Sequence, residues 1–300
     1  MRTLRIGTRR SALALAQAEL IRGALAAGGV DAEIVPLSTT GDEGVPAEVP
    51  AEGLKGLWID AILEALRDGA LDLAVHSAKD LPAEDADDLP IAAVPQRADP
   101  RDVLITREPG GLQPGMLVGT SSLRRRAQLL AAHPGVTVTT LRGNVDTRLR
   151  KLADGEVDAA VLAAAGLARL ELEPPNASPI GVDEMLPAPG QGALAVQCRA
   201  DARDVRAALA ALDHRPSRLA LEAERALTRA LGGGCALPLG ALAAVKADTV
   251  RLAGRVISPL GDRRIDAAAE AADPGVAATM VAAQLRAAGA GQILDEVRRS

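Results

Sequence analysis

The chain repeats itself, and the repeat limits what it can fold into. An early strand-like LRIGT is followed by the helical SALALAQAELIRGALAAG and, further on, by LRDGALDLAV; the second half carries MLVGTSS, a helical segment and LADGEVDAAV. In each copy an apolar run ends at Gly-Thr and a helix follows. Later an Asp-Gly turn closes a helix just before a buried strand. Short apolar runs alternating with helical periodicity predict an α/β fold. Its duplication predicts two lobes of like topology with a cleft between them. The first copy carries an insertion, mostly TTGDEGVPAEVPAEGLKGLW, whose Gly, Pro and Glu content predicts a long mobile loop over 40–58.

At 300 residues the chain exceeds one ordinary core, at roughly 100–200 residues per domain. After Asp213 the pattern changes: a helix (PSRLALEAERALTRAL), three glycines, three strand-like runs and two closing helices. This reads as a smaller α+β domain with a three-stranded antiparallel sheet. DPRD (99–102) and LPAPGQGA (186–193) read as crossings between lobes. The expected domains are 1–94 with 191–213, then 95–190, then 214–300.

Composition narrows the partners. Phe and Tyr are absent and Trp58 is the only aromatic, which removes the stacking platforms that nucleic-acid binders use. A net charge of −5 gives no basic surface for such a partner. No apolar run reaches the ~20 residues that span a bilayer, and MRTLRIGTRRSALALAQAEL reads as strand then helix rather than as a signal peptide. Two cysteines without CxxC spacing predict neither a disulfide framework nor a metal site. The expected setting is the reducing cytoplasm.

Arginines gather where helices begin: GTRRS (7–11), GTSSLRRR (119–126) and LRGNVDTRLR (141–150). A helix start already carries partial positive charge and free N–H groups, so Arg124, Arg125 and Arg126 in a first turn work against the usual preference. An anion bound there relieves the conflict, and guanidinium forks suit carboxylates or phosphates. The plainer reading is an Arg-rich chain with water-facing turns. Three such segments at equivalent strand ends favour an anionic small molecule with several acidic groups.

The copies differ at one strand end. AVHSAKD (74–80) aligns with AVLAAAG (160–166), so His76, Ser77, Lys79 and Asp80 stand where the second copy has Leu162, Ala163, Ala165 and Gly166. Polar groups on one copy of a shared scaffold point to chemistry there. His76 alone reads as packing against the sheet. Asp80, beside Lys79 and arginines, stays ionised and can stabilise a cation developing on a bound ligand. Cys198 reads as buried packing. Cys235 follows Gly232-Gly233-Gly234 at a helix end, either a small residue in a turn or a thiol on an arm that reaches a cleft.

Taken together these segments resemble the porphobilinogen deaminase family along nearly the whole chain. The resemblance rests on RIGTRRSALALAQA, LDLAVHSAKDLP, DPRDVLI, VGTSSLRRRAQL, LRGNVDTRLRKLADGEVDAAVLAAAGLARL, LPAPGQGALAVQCR and ERALTRALGGGCALPLGALA. It implies two lobes like those of periplasmic binding proteins and a third domain carrying the cysteine. It implies a dipyrromethane cofactor joined to Cys235 by a thioether, to which porphobilinogen is added. By the same resemblance Asp80 is catalytic, while Ser11, Lys79, Thr120, Ser122, Arg124, Arg125, Arg142 and Arg148 hold the cofactor. Arg9, Arg142, Arg148 and Arg169 bind the acetate and propionate groups of substrate or growing chain. Lys55 and Trp58 belong to the mobile loop, where GLKGLW departs from the family's GGKGLF. A monomer is implied. The rival expectations are a non-catalytic two-lobed binding protein for an acidic ligand, and a thiol-dependent transferase without a prosthetic group.

Overall fold

The structure, a computed structural model, describes residues 2–37, 51–233 and 237–299, with side chains described outside 51–58. It divides into two compact units, Met1–Arg97 with Ala193–Arg218 and Ala98–Gly192 with Leu219–Ser300. The segments expected as second and third domains thus fall largely within one unit.

The first unit is built on β1 (Leu4–Arg9), β2 (Ala32–Leu37), β3 (Leu73–Ser77), β4 (Ile91–Ala93) and the returning strand β10 (Leu194–Cys198), in the order β2-β1-β3-β10-β4. β1 runs parallel to β2 and β3, and β10 antiparallel to β3. Helix α1 (Ala12–Ala27) starts where the Ser11 hydroxyl accepts the Ala14 N–H at 3.3 Å, a side-chain cap on an otherwise orphaned donor. Its buried Ala14, Ala18, Ile21 and Leu25 fall at helical spacing, and the last three pack on Ile6, Leu73 and Val196. Helix α2 covers Ala51–Arg67, so Lys55 and Trp58 lie on a helix rather than in the loop expected over 40–58. Positions 38–50 lie outside the described residues.

The second unit repeats this plan. Its sheet comprises β5 (Asp102–Thr106), β6 (Leu117–Gly119), β7 (Thr137–Thr139), β8 (Ala159–Ala163) and β9 (Ala177–Pro179), in the order β7-β6-β8-β5-β9, with the fourth strand again antiparallel. Ile6 and Gly7 stand opposite Leu73 and Ala74 in one sheet; Val118 and Gly119 stand opposite Ala159 and Ala160 in the other. The register therefore equates Gly7 with Gly119, and β3 with β8, residue by residue. A Cβ on Gly7 would lie 2.2 Å from Leu71 Cδ1, and one on Gly119 2.7 Å from Leu141 Cδ2. Glycine in the strand lets a buried leucine close over it in both copies.

The aspartate of each repeat explains itself here. Asp72 donates its N–H to the Arg5 carbonyl at 3.0 Å and accepts the Arg5 N–H on its carboxylate at 2.8 Å. Asp158 does the same with Leu117, at 2.8 and 2.9 Å. Each clasps the entry of the central strand to its neighbour. Arg218 works at the other edge of the first sheet, where its guanidinium donates to the Ile91 and Ala92 carbonyls of β4.

The remainder of the second unit holds α7 (Arg215–Ala230), of which residues from Leu219 belong to this unit, and an antiparallel sheet of β11 (Leu239–Lys246), β12 (Thr249–Ile257) and β13 (Arg264–Ala271). It closes with α8 (Pro274–Ala287) and α9 (Ala290–Arg299). The Asp273 carboxylate accepts the Val276 N–H at 2.9 Å to start α8, with Pro274 in its first turn. The core here is Ala, Leu, Val and Ile, as a chain without Phe or Tyr requires.

The clasp is open to titration. Burial alone would raise the Asp72 carboxyl, but hydrogen bonds from the Arg5 side chain and backbone and from Arg2 override it and hold the group below the usual carboxylate range. A depressed folded-state value stabilises at pH above that range and is lost as acid protonates the native carboxyl. Urea unfolding of Asp72→Asn at neutral pH is expected to show a loss of about 1–3 kcal/mol. The gap to the unmodified chain narrows below about pH 3.

Candidate active site

The first unit gathers its chemistry at the C-terminal ends of β1 and β3. A cavity of about 90 Å³ opens there, lined by Thr8, Arg9, Ser11, Gln17, His76, Ser77 and Asp80 among others. The Thr8 hydroxyl donates to the Ala14 carbonyl at 3.1 Å, and Gln17 donates to the Ser77 hydroxyl at 2.8 Å. Both bonds tie helix α1 to the strand ends and fix the walls. Lys79 and Asp80 follow on a single 3-10 turn, Ala78–Asp80, which continues β3; its start is held by the Ala78 N–H donating to the Ala193 carbonyl at 3.0 Å. Both residues are half-buried. The structure thus brings Arg9, Ser11 and Asp80 to one pocket, with Lys79 beside Asp80.

His76 changes meaning in this setting. Burial lowers its pKa to about 4, against the pull of the nearby Asp80 charge, so the ring is neutral at neutral pH. Its Nε2 is buried without a hydrogen-bond partner. The strand position expected for simple packing therefore lines the pocket beside Asp80 and adds no positive charge that would compete for the carboxylate.

In the second unit the helix-start arginines divide. Helix α3 (Leu123–Ala132) is capped by Ser122, whose hydroxyl accepts the Arg125 N–H at 3.4 Å; Ser122 in turn donates its N–H to the Thr120 hydroxyl at 3.2 Å. Arg124 and Arg125 are buried, not splayed toward a cleft. Asp102 pairs with Arg124 at 2.8 Å and with Arg125 at 2.7 Å, and its Oδ1 also accepts from Gln191 at 2.9 Å. The Leu186 carbonyl accepts from Arg124 and the Val161 carbonyl from Arg125, at 2.8 and 2.9 Å. The anion that relieves this helix start is the chain's own carboxylate. Burial by itself would raise the Asp102 carboxyl, but the Arg124 and Arg125 charges override it and hold it well below the usual range. Arg124 keeps one unused donor, Nε, buried without an acceptor. Arg126 is exposed.

The other arginines expected at the site in this unit are more open. Arg142 is exposed and Arg148, on α4 (Val145–Ala153), is half-buried, donating from Nε to the Gly143 carbonyl at 2.8 Å. Arg169, at the end of α5 (Ala164–Arg169), donates to the Gly192 carbonyl at 2.7 Å. Burial pushes its guanidinium down to about 10, which leaves it charged at neutral pH. Cys235 lies outside the described residues, and so do the side chains of Lys55 and Trp58. Asp102, Gln191 and Gln17 are the members of this machinery that sequence reading passes over. Asp102 and Gln191 sit in DPRD and LPAPGQG, which read as crossings. Gln17 is hidden in the apolar run of α1, where a buried amide was the only signal.

Residues 4–207 match the family model "Porphobilinogen deaminase, dipyromethane cofactor binding domain" and residues 218–287 match "Porphobilinogen deaminase, C-terminal domain". A porphobilinogen deaminase of Brevibacillus brevis is 45% identical over 301 residues, covering 98% of this chain and 97% of that protein. One from a Roseiflexus species is 48% identical, covering 85% and 86%, and one from Acidithiobacillus ferrooxidans 44% identical, covering 99% of each. A periplasmic substrate-binding protein structure from Coxiella burnetii aligns at TM-score 0.40 and 17% identity, covering 69% of this chain and 92% of that one, a likeness too distant to bear on function. Two matched domains in the expected order, and relatives of this identity over almost the full length, have one consequence: the chain belongs to the porphobilinogen deaminase family.

Proposed function

We propose that this protein condenses four porphobilinogen molecules head to tail on a dipyrromethane primer held through a thioether to Cys235, releasing ammonia at each addition and then the linear tetrapyrrole hydroxymethylbilane. The observation that carries the reading is the asymmetry of the duplicated scaffold. One copy ends its third-order strand in a pocket with a half-buried carboxylate, Asp80, and the other has Gly166 at that place. A binding protein without chemistry has no use for that difference.

The residues present fit the cofactor. Dipyrromethane carries carboxylates, and the second unit offers the Thr120 and Ser122 hydroxyls, the first N–H groups of α3 and the unused Nε donor of Arg124. When bound, the cofactor supplies the nucleophilic pyrrole carbon on which the chain is extended. Arg9, Arg142, Arg148 and Arg169 bind acetate and propionate groups of substrate and product. Arg125, committed to Asp102 and the Val161 carbonyl, serves the site by holding the start of α3.

Asp80 does the charge work. As the aminomethyl group of porphobilinogen departs, positive charge develops on its pyrrole, and an ionised carboxylate in a partly closed pocket stabilises it. The neutral His76 ring adds no cation beside that carboxylate. Each coupling forms one C–C bond and breaks one C–N bond; the ring proton and the ammonia leave together as ammonium. Lys79, beside Asp80, supplies a donor for a carboxylate of the bound chain. Among the described residues no helix is long and apolar enough to cross a membrane, and the reading includes a monomer working in the cytoplasm.

Intact-mass measurement tests the primer directly. The purified protein is expected to carry an added mass of two porphobilinogen-derived pyrrole units, absent from Cys235→Ser; an active protein without added mass excludes the covalent cofactor. Asp80→Asn keeps the shape and removes the charge. Its turnover is expected to fall by about 10²–10³-fold with an unchanged melting temperature, and near-normal turnover would remove Asp80 from the mechanism. Arg148→Leu is expected to accumulate short enzyme-bound chains, read as a ladder of intact masses. A normal distribution of elongation species would show that Arg148 holds no carboxylate.

A further inference from the structure

The segment Leu186–Gly190 lies among buried polar side chains of the second unit that the reaction does not use. Gln128, on α3, accepts the Leu186 N–H on Oε1 at 2.8 Å and donates from Nε2 to the Leu186 carbonyl at 3.1 Å. That same carbonyl accepts from Arg124. The Gln128 Oε1 also accepts from Arg255 of β12 at 2.7 Å. Arg255 is itself buried and donates to the Asp183 and Glu184 carbonyls and to Asp266. On the far side of the segment, β11 is stitched down. The Ala241 N–H donates to the Pro187 carbonyl at 2.9 Å. The buried Glu224 carboxylate accepts the Gly190 N–H at 2.6 Å and the Ala243 N–H at 2.8 Å. Gly240 lies so close that a Cβ there would sit 2.9 Å from the Leu186 carbonyl oxygen.

One carbonyl region thus fixes two things at once: the guanidinium of Arg124, which keeps a free buried donor, and the start of β11, the strand that follows Cys235 in the chain. Apolar side chains of similar volume would hold such a contact about as firmly. What a hydrogen-bonded polar network adds is a single register. We propose that Leu186–Gly190 is a positioning strap for cofactor capture, with Gln128, Arg255 and Glu224 as positioning residues that set Arg124 and β11 in the one register at which loading proceeds. The proposal rests on the covalent-primer reading above. In loading from porphobilinogen, the Cys235 Sγ–C bond forms as the aminomethyl C–N bond breaks, and the thiol proton leaves with ammonia as ammonium. A second porphobilinogen then adds by a C–C bond with loss of a second ammonium.

The test follows loading rather than turnover. Full-length chain, produced without porphobilinogen, is given porphobilinogen and its intact mass is followed in time. Gln128→Leu and Gly240→Ala are compared with Arg218→Ala, whose contacts lie at the β4 edge of the first unit, at temperatures equally far below each variant's own melting point. The two strap variants are expected to gain the two-pyrrole mass at least tenfold more slowly than Arg218→Ala, while Arg255→Lys loads faster than Arg255→Met. Gln128→Asn, which keeps an amide, replaces Gln128→Leu if the latter does not fold. Equal loading of strap variants and control overturns the strap. An unmodified wild-type chain that is nevertheless active overturns the covalent reading itself, and the strap with it.

Discussion

Asp102 is the charge on which the second unit is organised. Its carboxylate is fully buried and is met by two guanidiniums and an amide. Buried alone, such a group would be protonated; buried with both arginines, it stays ionised. The dependence is mutual, since removing one partner of a buried pair costs about 3–5 kcal/mol through the charge left behind. Because Arg124 and Arg125 sit in the first turn of α3, the carboxylate also sets where that helix begins. Everything presented at its start, from Thr120 to Ser122, takes its position from this cluster. Gln191 carries the arrangement into the segment that returns toward the first unit's sequence.

The duplicated scaffold shows what is structural by what the copies share. Both have a glycine in the strand beside the central one, a leucine packed over it, and an aspartate clasp at the entry of the central strand. These are solutions to one folding problem, found in each unit separately. Function lies in what they do not share. The register equates the strand bearing His76 and Ser77 with the one bearing Leu162 and Ala163, and only the first continues into Lys79 and Asp80. A fold needs the clasp twice; the role proposed for Asp80, stabilising one cation at a time, needs its carboxylate once.

Much of this was legible before any coordinates. The alternation of apolar runs and helical periodicity placed β1, α1, β3 and the three C-terminal strands, and the repeat placed the matching elements of the second unit. The helix-start arginines read as a conflict that an anion relieves. For Arg124 and Arg125 one such anion is Asp102, which sequence does not reveal, because DPRD reads as a crossing and only the antiparallel pairing of β5 with β8 brings Asp102 under α3. The loop boundary differs for another reason. Gly53, Gly56 and the prolines before them are breakers by composition, yet α2 extends back to Ala51, because breakers of about 1 kcal/mol per glycine do not by themselves end a helix.

His76 shows why burial has to be known before a residue type can be read. From sequence, His76 reads as packing against the sheet, and its charge is not legible there. A protonated ring would place a cation against Asp80 in the role proposed for it. Burial removes that cation: desolvation penalises the charged ring more than the Asp80 charge stabilises it. The pocket therefore keeps the shape that an aromatic-sized side chain gives it, in a chain that has no Phe or Tyr to use there, and gains no cation from His76 beside Asp80. The same residue that fills the wall sets the electrostatics by staying neutral.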